Sequence, residues 1–216
     1  MKEYLSLAES QRMLLCVARA IVEAEPMLTE VDLAIGDGDH GTGMALGFGE
    51  VERMLLEPCS YKTVKELFTA VGCKLIDTMG GASGVLFGTF FISGILAVQS
   101  KDTLSLEDFA AVFESAGNAI ARRGKAQPGD KTMLDALIPA ADALRESVRL
   151  DMSLTDGFLR ASEAAADGVE KTKYMTAKAG RARSYKDASI GHQDAGATSV
   201  SIMVDAMYEF LSKHDQ

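Results

Sequence analysis

The sequence predicts an all-α protein, and three observations carry that expectation. Apolar residues recur at helical spacing through eight successive stretches. Strand-like alternation is almost absent from the chain. Glycine and proline aside, the chain is rich in alanine, leucine, methionine and glutamate, all good helix formers. At 216 residues the simplest count is one domain over 1–216, long enough to bury a substantial core. Eight helices joined mostly by short connections favour antiparallel neighbours in a bundle or a closed ring.

The stripes follow one another along the chain. Leu14, Val17, Ala18, Ile21 and Val22 form the first, ended by Pro26. Met44, Phe48, Val51 and Leu55 form the second, ended by Pro58. Val64, Leu67, Phe68, Val71 and Leu75 form the third. The fourth runs from about Ala82 to Gln99, inside a run from Gly80 to Ser100 that holds 21 residues and no charge. That length could cross a bilayer. Its five glycines, three serines and one threonine favour instead a helix buried on all sides, with its glycine-rich start facing a ligand. Phe109, Val112, Phe113, Ala116 and Ile120 form the fifth stripe, with Ser105 and Asp108 resembling a capping box at its start. The sixth carries Leu134, Leu137, Ile138, Ala141 and Val148, and Pro139 inside it predicts a kink or a helix start nearby. The seventh spans roughly Ser153 to Ala177, and Ile202, Met203, Ala206, Met207 and Phe210 form the eighth.

The formal net charge is −9, from 22 basic and 31 acidic residues, which argues against a nucleic-acid partner. An acidic chain that handles phosphate must gather positive charge locally or borrow it from metal. Cys16, Cys59 and Cys73 are scattered and show no metal spacing, and the N-terminus lacks the shape of a signal peptide. A reduced, cytoplasmic setting is the expectation.

One stretch carries the most chemistry: Asp32-Leu33-Ala34-Ile35-Gly36-Asp37-Gly38-Asp39-His40-Gly41-Thr42-Gly43-Met44. Asp37 and Asp39 are separated by one glycine, so both can aim at one cation, and Asp32 can close the cluster from upstream. Carboxylate oxygens suit hard cations such as Mg²⁺. Gly38, Gly41 and Gly43 let backbone N–H groups approach an anion, and a helix N-terminus behind them adds its positive end. The spacing is not that of an EF-hand, a P-loop or a dinucleotide fingerprint. The plainer alternative is a turn leading into a capped helix. Two further loops, 122–131 and 178–198, place arginines and lysines beside glycines, an arrangement suited to polyphosphate. Solvated charged loops are the plainer reading there.

Five spaced motifs resemble the L subunit, the nucleotide-binding subunit, of dihydroxyacetone kinase. They are IGDGDHGTG at 35–43, GGASG at 80–84, GDKTMLD at 129–135, GRA at 180–182 and SIGHQDAGATS at 189–199. The resemblance implies a closed antiparallel eight-helix barrel with its nucleotide site at one end, where ADP or ATP is held through two Mg²⁺. It implies Asp32, Asp37 and Asp39 as metal ligands. It implies nucleotide contacts at His40, Gly41, Thr42, Gly43, Ala82, Ser83, Gly124, Met133, Arg181, Asp194, Ala195 and Gly196, with Arg181 as the catalytic cation. Arg183 stands where many members have a small residue, and Gly43 where an asparagine is frequent. The resemblance also implies a K subunit that carries the ketose, so this chain is half an enzyme. A separate L chain resembles the split arrangement often fed by the phosphotransferase system, so a phosphocarrier of that system is the favoured donor and exchangeable ATP the other. No membrane partner is expected, and a homodimer stays open. Three alternatives stay open too: a kinase subunit for another short ketose such as a tetrulose, an ADP-loaded regulatory module, and a helical lipid carrier.

Overall fold

The computed structural model describes residues 3–58, 60–99 and 101–214. Cys59 and Ser100, the last residue of the uncharged run, lie outside the described residues. The architecture is all-α, as the periodicity predicts. The helices are α1 (Leu7–Glu23), α2 (Glu25–Ile35), α3 (His40–Leu56), α4 (Val64–Met79), α5 (Gly81–Ile95), α6 (Leu106–Gly124), α7 (Leu134–Arg149), α8 (Leu154–Thr172) and α9 (Ala195–Lys213). A 3-10 segment, Arg181–Ser189, lies between α8 and α9. The sheet content among the described residues is one ribbon, in which β1 (Tyr4–Ser6) pairs antiparallel with β2 (Thr103–Ser105).

Eight of the helices touch in a cycle: α1 against α3, then α4, α5, α6, α7, α8 and α9, and α9 against α1 again. Close approaches show neighbours running in opposite directions. Early α8 meets late α7 where Gly157 faces Ser147, and late α8 meets early α7 where Gly168 faces Asp135. Gly72 of α4 and Gly88 of α5 face each other's backbone, and a Cβ on either would stand 2.8 Å from the other's carbonyl oxygen. Inside the cycle the core is rich in phenylalanine. Phe90 and Phe91 meet edge-on at 5.0 Å, Phe90 and Phe113 at 5.3 Å, and Phe109 and Phe158 at 5.0 Å. Such edge contacts add about 0.5–1.5 kcal/mol each beyond area burial.

The ends are set by local chemistry. The Ser105–Asp108 capping box is present at α6, and an equivalent box, Ser6 with Glu9, starts α1. The first stripe does not run to Pro26. Helix α1 stops at Glu23, and Pro26 sits in the first turn of α2, where its fixed φ and missing N–H cost nothing. The seventh helix stops at Thr172, five residues short of Ala177, and the fourth at Ile95. Pro139 lies inside α7, not at its start. Its missing N–H leaves the Asp135 carbonyl without an intrahelical donor, and Gly168 of α8 packs directly on that carbonyl. No described helix is long and apolar enough to cross a membrane.

Candidate functional site

Antiparallel neighbours start at alternate ends, so α3, α5, α7 and α9 all begin at the same end. A cleft of about 830 Å³ opens there. Its walls hold Asp32, Asp37, Asp39, His40, Thr42, Gly43, Ala82, Ser83, Gly124, Met133, Arg181, Asp194, Ala195 and Gly196. Segments more than 150 residues apart in sequence thus meet in one space. Helix N-termini carry partial positive charge and free N–H groups. No side chain caps α3 or α5, and Gly80 and Gly81 take φ of +64° and +60° to bring the chain into α5. Glycine adopts that backbone without penalty. The cleft also has apolar walls, from Leu86, Phe87, Ile120, Met133 and Leu134.

Gly41 is the one expected contact residue outside the lining. It is buried against α2, where an added Cβ would fall 2.2 Å from Thr29 Oγ1 and 2.4 Å from the Glu25 carbonyl. Its small size lets α2 and α3 cross closely.

Asp32 comes from the last turns of α2, Asp37 from the following loop, and Asp39 is the residue that precedes α3. Each offers a carboxylate oxygen, and these oxygens lie within 4.8 Å of one another. Asp32 also accepts from the His40 backbone N–H at 3.3 Å, which fixes the turn. Three carboxylates this close repel unless a cation sits among them. The Arg181 guanidinium supplies positive charge at that point. It pairs with Asp37 and, at 3.2 Å, with Asp39. The donor set, all hard oxygen and half-open to solvent, fits Mg²⁺.

His40 lies deeper. Burial pushes its pKa down, against the opposing pull of Asp32 and Asp39, which favours the neutral ring. Ser199 Oγ donates to the Ala195 carbonyl at 3.1 Å. That leaves Ser199 to accept from His40 Nε2 at 2.8 Å, which ties the start of α3 to α9. Asp194 caps α9 by accepting from the Ala197 N–H at 2.7 Å. Burial is the main force that raises its pKa, with nearby Asp135 adding to it, and pushes it up to about 7. The GDKTMLD loop is organised by Asp135, which accepts from the Gly129 and Thr132 N–H groups at 2.5 and 2.7 Å.

The sequence places Lys131 and Tyr185 in basic loops suited to polyphosphate and Ser199 in a motif, and gives none of the three the role found here. Tyr185 donates to the Gly36 carbonyl at 3.1 Å and holds the 3-10 segment on the aspartate loop. Lys131 is 1% exposed and donates to four carbonyls. Lys131 and Ser199 sit in motifs that were legible. The carbonyls that Lys131 meets, and the His40 ring that Ser199 meets, come from 40 or more residues away, which no local pattern reveals. Arg183 is exposed and lies outside the cleft.

Comparison with known proteins gives the family. Residues 34–209 match the family model described as the DAK2 domain. The chain is 40% identical over 180 residues to the PEP-dependent dihydroxyacetone kinase, ADP-binding subunit DhaL, of Escherichia coli (strain K12), covering 83% of this chain and 85% of that one. It is 35% identical to the ADP-binding subunit DhaL of PEP-dependent dihydroxyacetone kinase 1 of Listeria innocua, covering 88% and 89% of the two. The crystal structure of the dihydroxyacetone kinase of C. freundii in its native form superposes with a TM-score of 0.71 at 25% identity. That match covers 93% of this chain and only 34% of the kinase, so the chain spans about a third of that protein. On this evidence the chain belongs to the DAK2 domain family, among the L-type, nucleotide-binding subunits of the dihydroxyacetone kinases.

Proposed function

We propose that this chain is the nucleotide-binding subunit of a two-part dihydroxyacetone (glycerone) kinase. Its cleft holds ADP or ATP through Mg²⁺, and phosphate passes to a short ketose carried by a separate K subunit. One observation carries the reading: three carboxylates and the starts of four helices share a single cleft. Opposite charge preferences at one place suit a ligand that is itself a metal–polyphosphate pair.

The residues divide the work. Asp32, Asp37 and Asp39 would hold two Mg²⁺, which when bound neutralise phosphate charge and polarise the transferred group. The open N–H groups at the starts of α3 and α5, with the Ser83 hydroxyl, meet phosphate oxygens. Met133 and its apolar neighbours offer a soft wall for the base. Arg181 already stands at the aspartates. From there it can meet charge that develops on the phosphoryl group in flight. Little covalent chemistry falls to the protein in this class of transfer; positioning and charge do most of it.

The names of the E. coli and Listeria relatives, PEP-dependent and ADP-binding, favour ADP as a resident coenzyme recharged by a phosphotransferase-system phosphocarrier. The test is reconstitution. The purified chain is mixed with a K subunit and dihydroxyacetone, then given either ATP or phosphoenolpyruvate with the phosphotransferase proteins. Turnover with the second donor and none from the chain alone is expected. Turnover with ATP alone would move the donor assignment, and no turnover with either would remove the kinase reading. Erythrulose run in parallel decides which short ketose is preferred.

A further inference from the structure

Residues 173–193, between α8 and the Asp194 cap of α9, form a closed loop whose tip and neck are both defined. At the tip, Arg181 reaches Asp37 and Asp39, and Tyr185 reaches the Gly36 carbonyl. Only Ala177 and Ser189 in this segment are buried, so apolar packing does little to aim it. At the neck stands Lys131. Its ammonium donates to the carbonyls of Thr172 at 2.8 Å and Met175 at 3.3 Å, where the chain leaves α8. It also donates to Ser189 at 2.6 Å and His192 at 2.5 Å, where the chain returns towards α9. Three N–H groups serve four acceptors, so one is shared. The Gly191 N–H meets the Lys173 carbonyl at 2.7 Å, and the Ala177 N–H meets Ser189 Oγ at 2.9 Å, closing the same neck.

Lys131 takes this place at a cost. Its φ is +62°, a region L-residues seldom adopt and that the surrounding structure must impose. Its charge is buried, and among the described residues its ammonium meets carbonyls and no carboxylate at hydrogen-bond distance, which is costly unless those backbone dipoles compensate. We propose that Lys131 is a positioning residue: it clamps both ends of the 173–193 loop and so sets Arg181 at the Asp37–Asp39 carboxylates. The inference deepens the kinase reading and rests on it for its effect on turnover; the clamp itself does not.

The test uses the full chain with Lys131→Met, which keeps the stem and removes the donors. Limited trypsin digestion reads the clamp. Cleavage at Lys178, Arg181, Arg183 and Lys186 should speed up about tenfold, in step with the open population of the loop, while the far-UV circular dichroism is unchanged. Turnover with the K subunit reads the positioning. The kcat should fall about tenfold with Mg-ADP affinity changed less than about twofold, and the same substitution in an Arg181→Ala background should cost nothing more. Unchanged loop cleavage overturns the clamp. A kcat loss that adds in full to that of Arg181→Ala overturns the positioning role. Should Lys131→Met not fold, Lys131→Gln, which keeps a donor in the same space, replaces it on the same readouts. A wild-type chain that turns nothing over would count against the kinase reading alone, and the digestion would still decide the clamp.

Discussion

At the scale of single residues, the cleft depends on charges placed where they would repel if left alone. Asp37→Asn or Asp39→Asn should weaken Mg-nucleotide binding at least about tenfold, or about 1.4 kcal/mol, by calorimetry. Arg181→Ala should lower kcat about a hundredfold and change nucleotide affinity much less, as expected for a group that meets transition-state charge. Arg183→Ala is the control, since that side chain is exposed and is not part of the cleft lining. Asp194 gives a pH signature. Its folded pKa, about 7, stands above its ordinary value of 3.8, so the folded state holds the proton longer than the unfolded one. Stability from this group is complete below about 3.8 and is lost as pH rises through about 7. Asp194→Asn keeps the cap and removes the titration. In urea melts without nucleotide, the advantage of the asparagine variant should therefore grow from pH 5 to pH 8. The aspartates of the cluster were legible because their chemistry is local. Gly41 was not: its motif reads as an anion loop, yet its neighbours are Thr29 and Glu25 of a helix that carries no strong apolar stripe.

At the scale of elements, close helix contacts depend on small residues whose reason lies on the partner helix. Gly168→Ala would put a Cβ 2.1 Å from the Asp135 carbonyl, on rigid backbone. It should destabilise the fold by about 1–3 kcal/mol or more, measured by denaturant unfolding, because α7 and α8 must part. The eight long helices were legible from their stripes, as was the α6 capping box. Helix α2 was not, because only Leu28 and Ile35 of its eleven residues are buried and its proline reads as a stop as readily as a start. The ribbon was missed for a different reason. Three-residue strands are too short for alternation to register, and their pairing joins residues about 100 positions apart. Pro139 shows the limit of a local rule: the helix runs through it because α8 brings a glycine to the freed carbonyl.

At the scale of the whole molecule, alternating helix direction collects four positive helix ends at one rim of an acidic protein. A ligand that bridges α2, α3, α5, α7 and α9 there should stabilise the entire fold. Mg-ADP at about 100 times its dissociation constant should add roughly 2.7 kcal/mol, seen as a higher Tm that a chelator reverses. The opposite rim is closed by the ribbon. Strand β1 leads into α1 and β2 into α6, and these helices are four places apart in the cycle of eight. The ribbon is therefore a strap across the diameter, with Leu5 and Leu104 paired and wholly buried beneath it. That strap orders events during synthesis. Residues 4–6 find their partners only when residues 103–105 have left the ribosome, and α1 finds its last neighbour only when α9 has been made. Until then the helices that line the phenylalanine-rich interior lack their last neighbour, so the nascent half-chain exposes apolar surface that the finished fold buries.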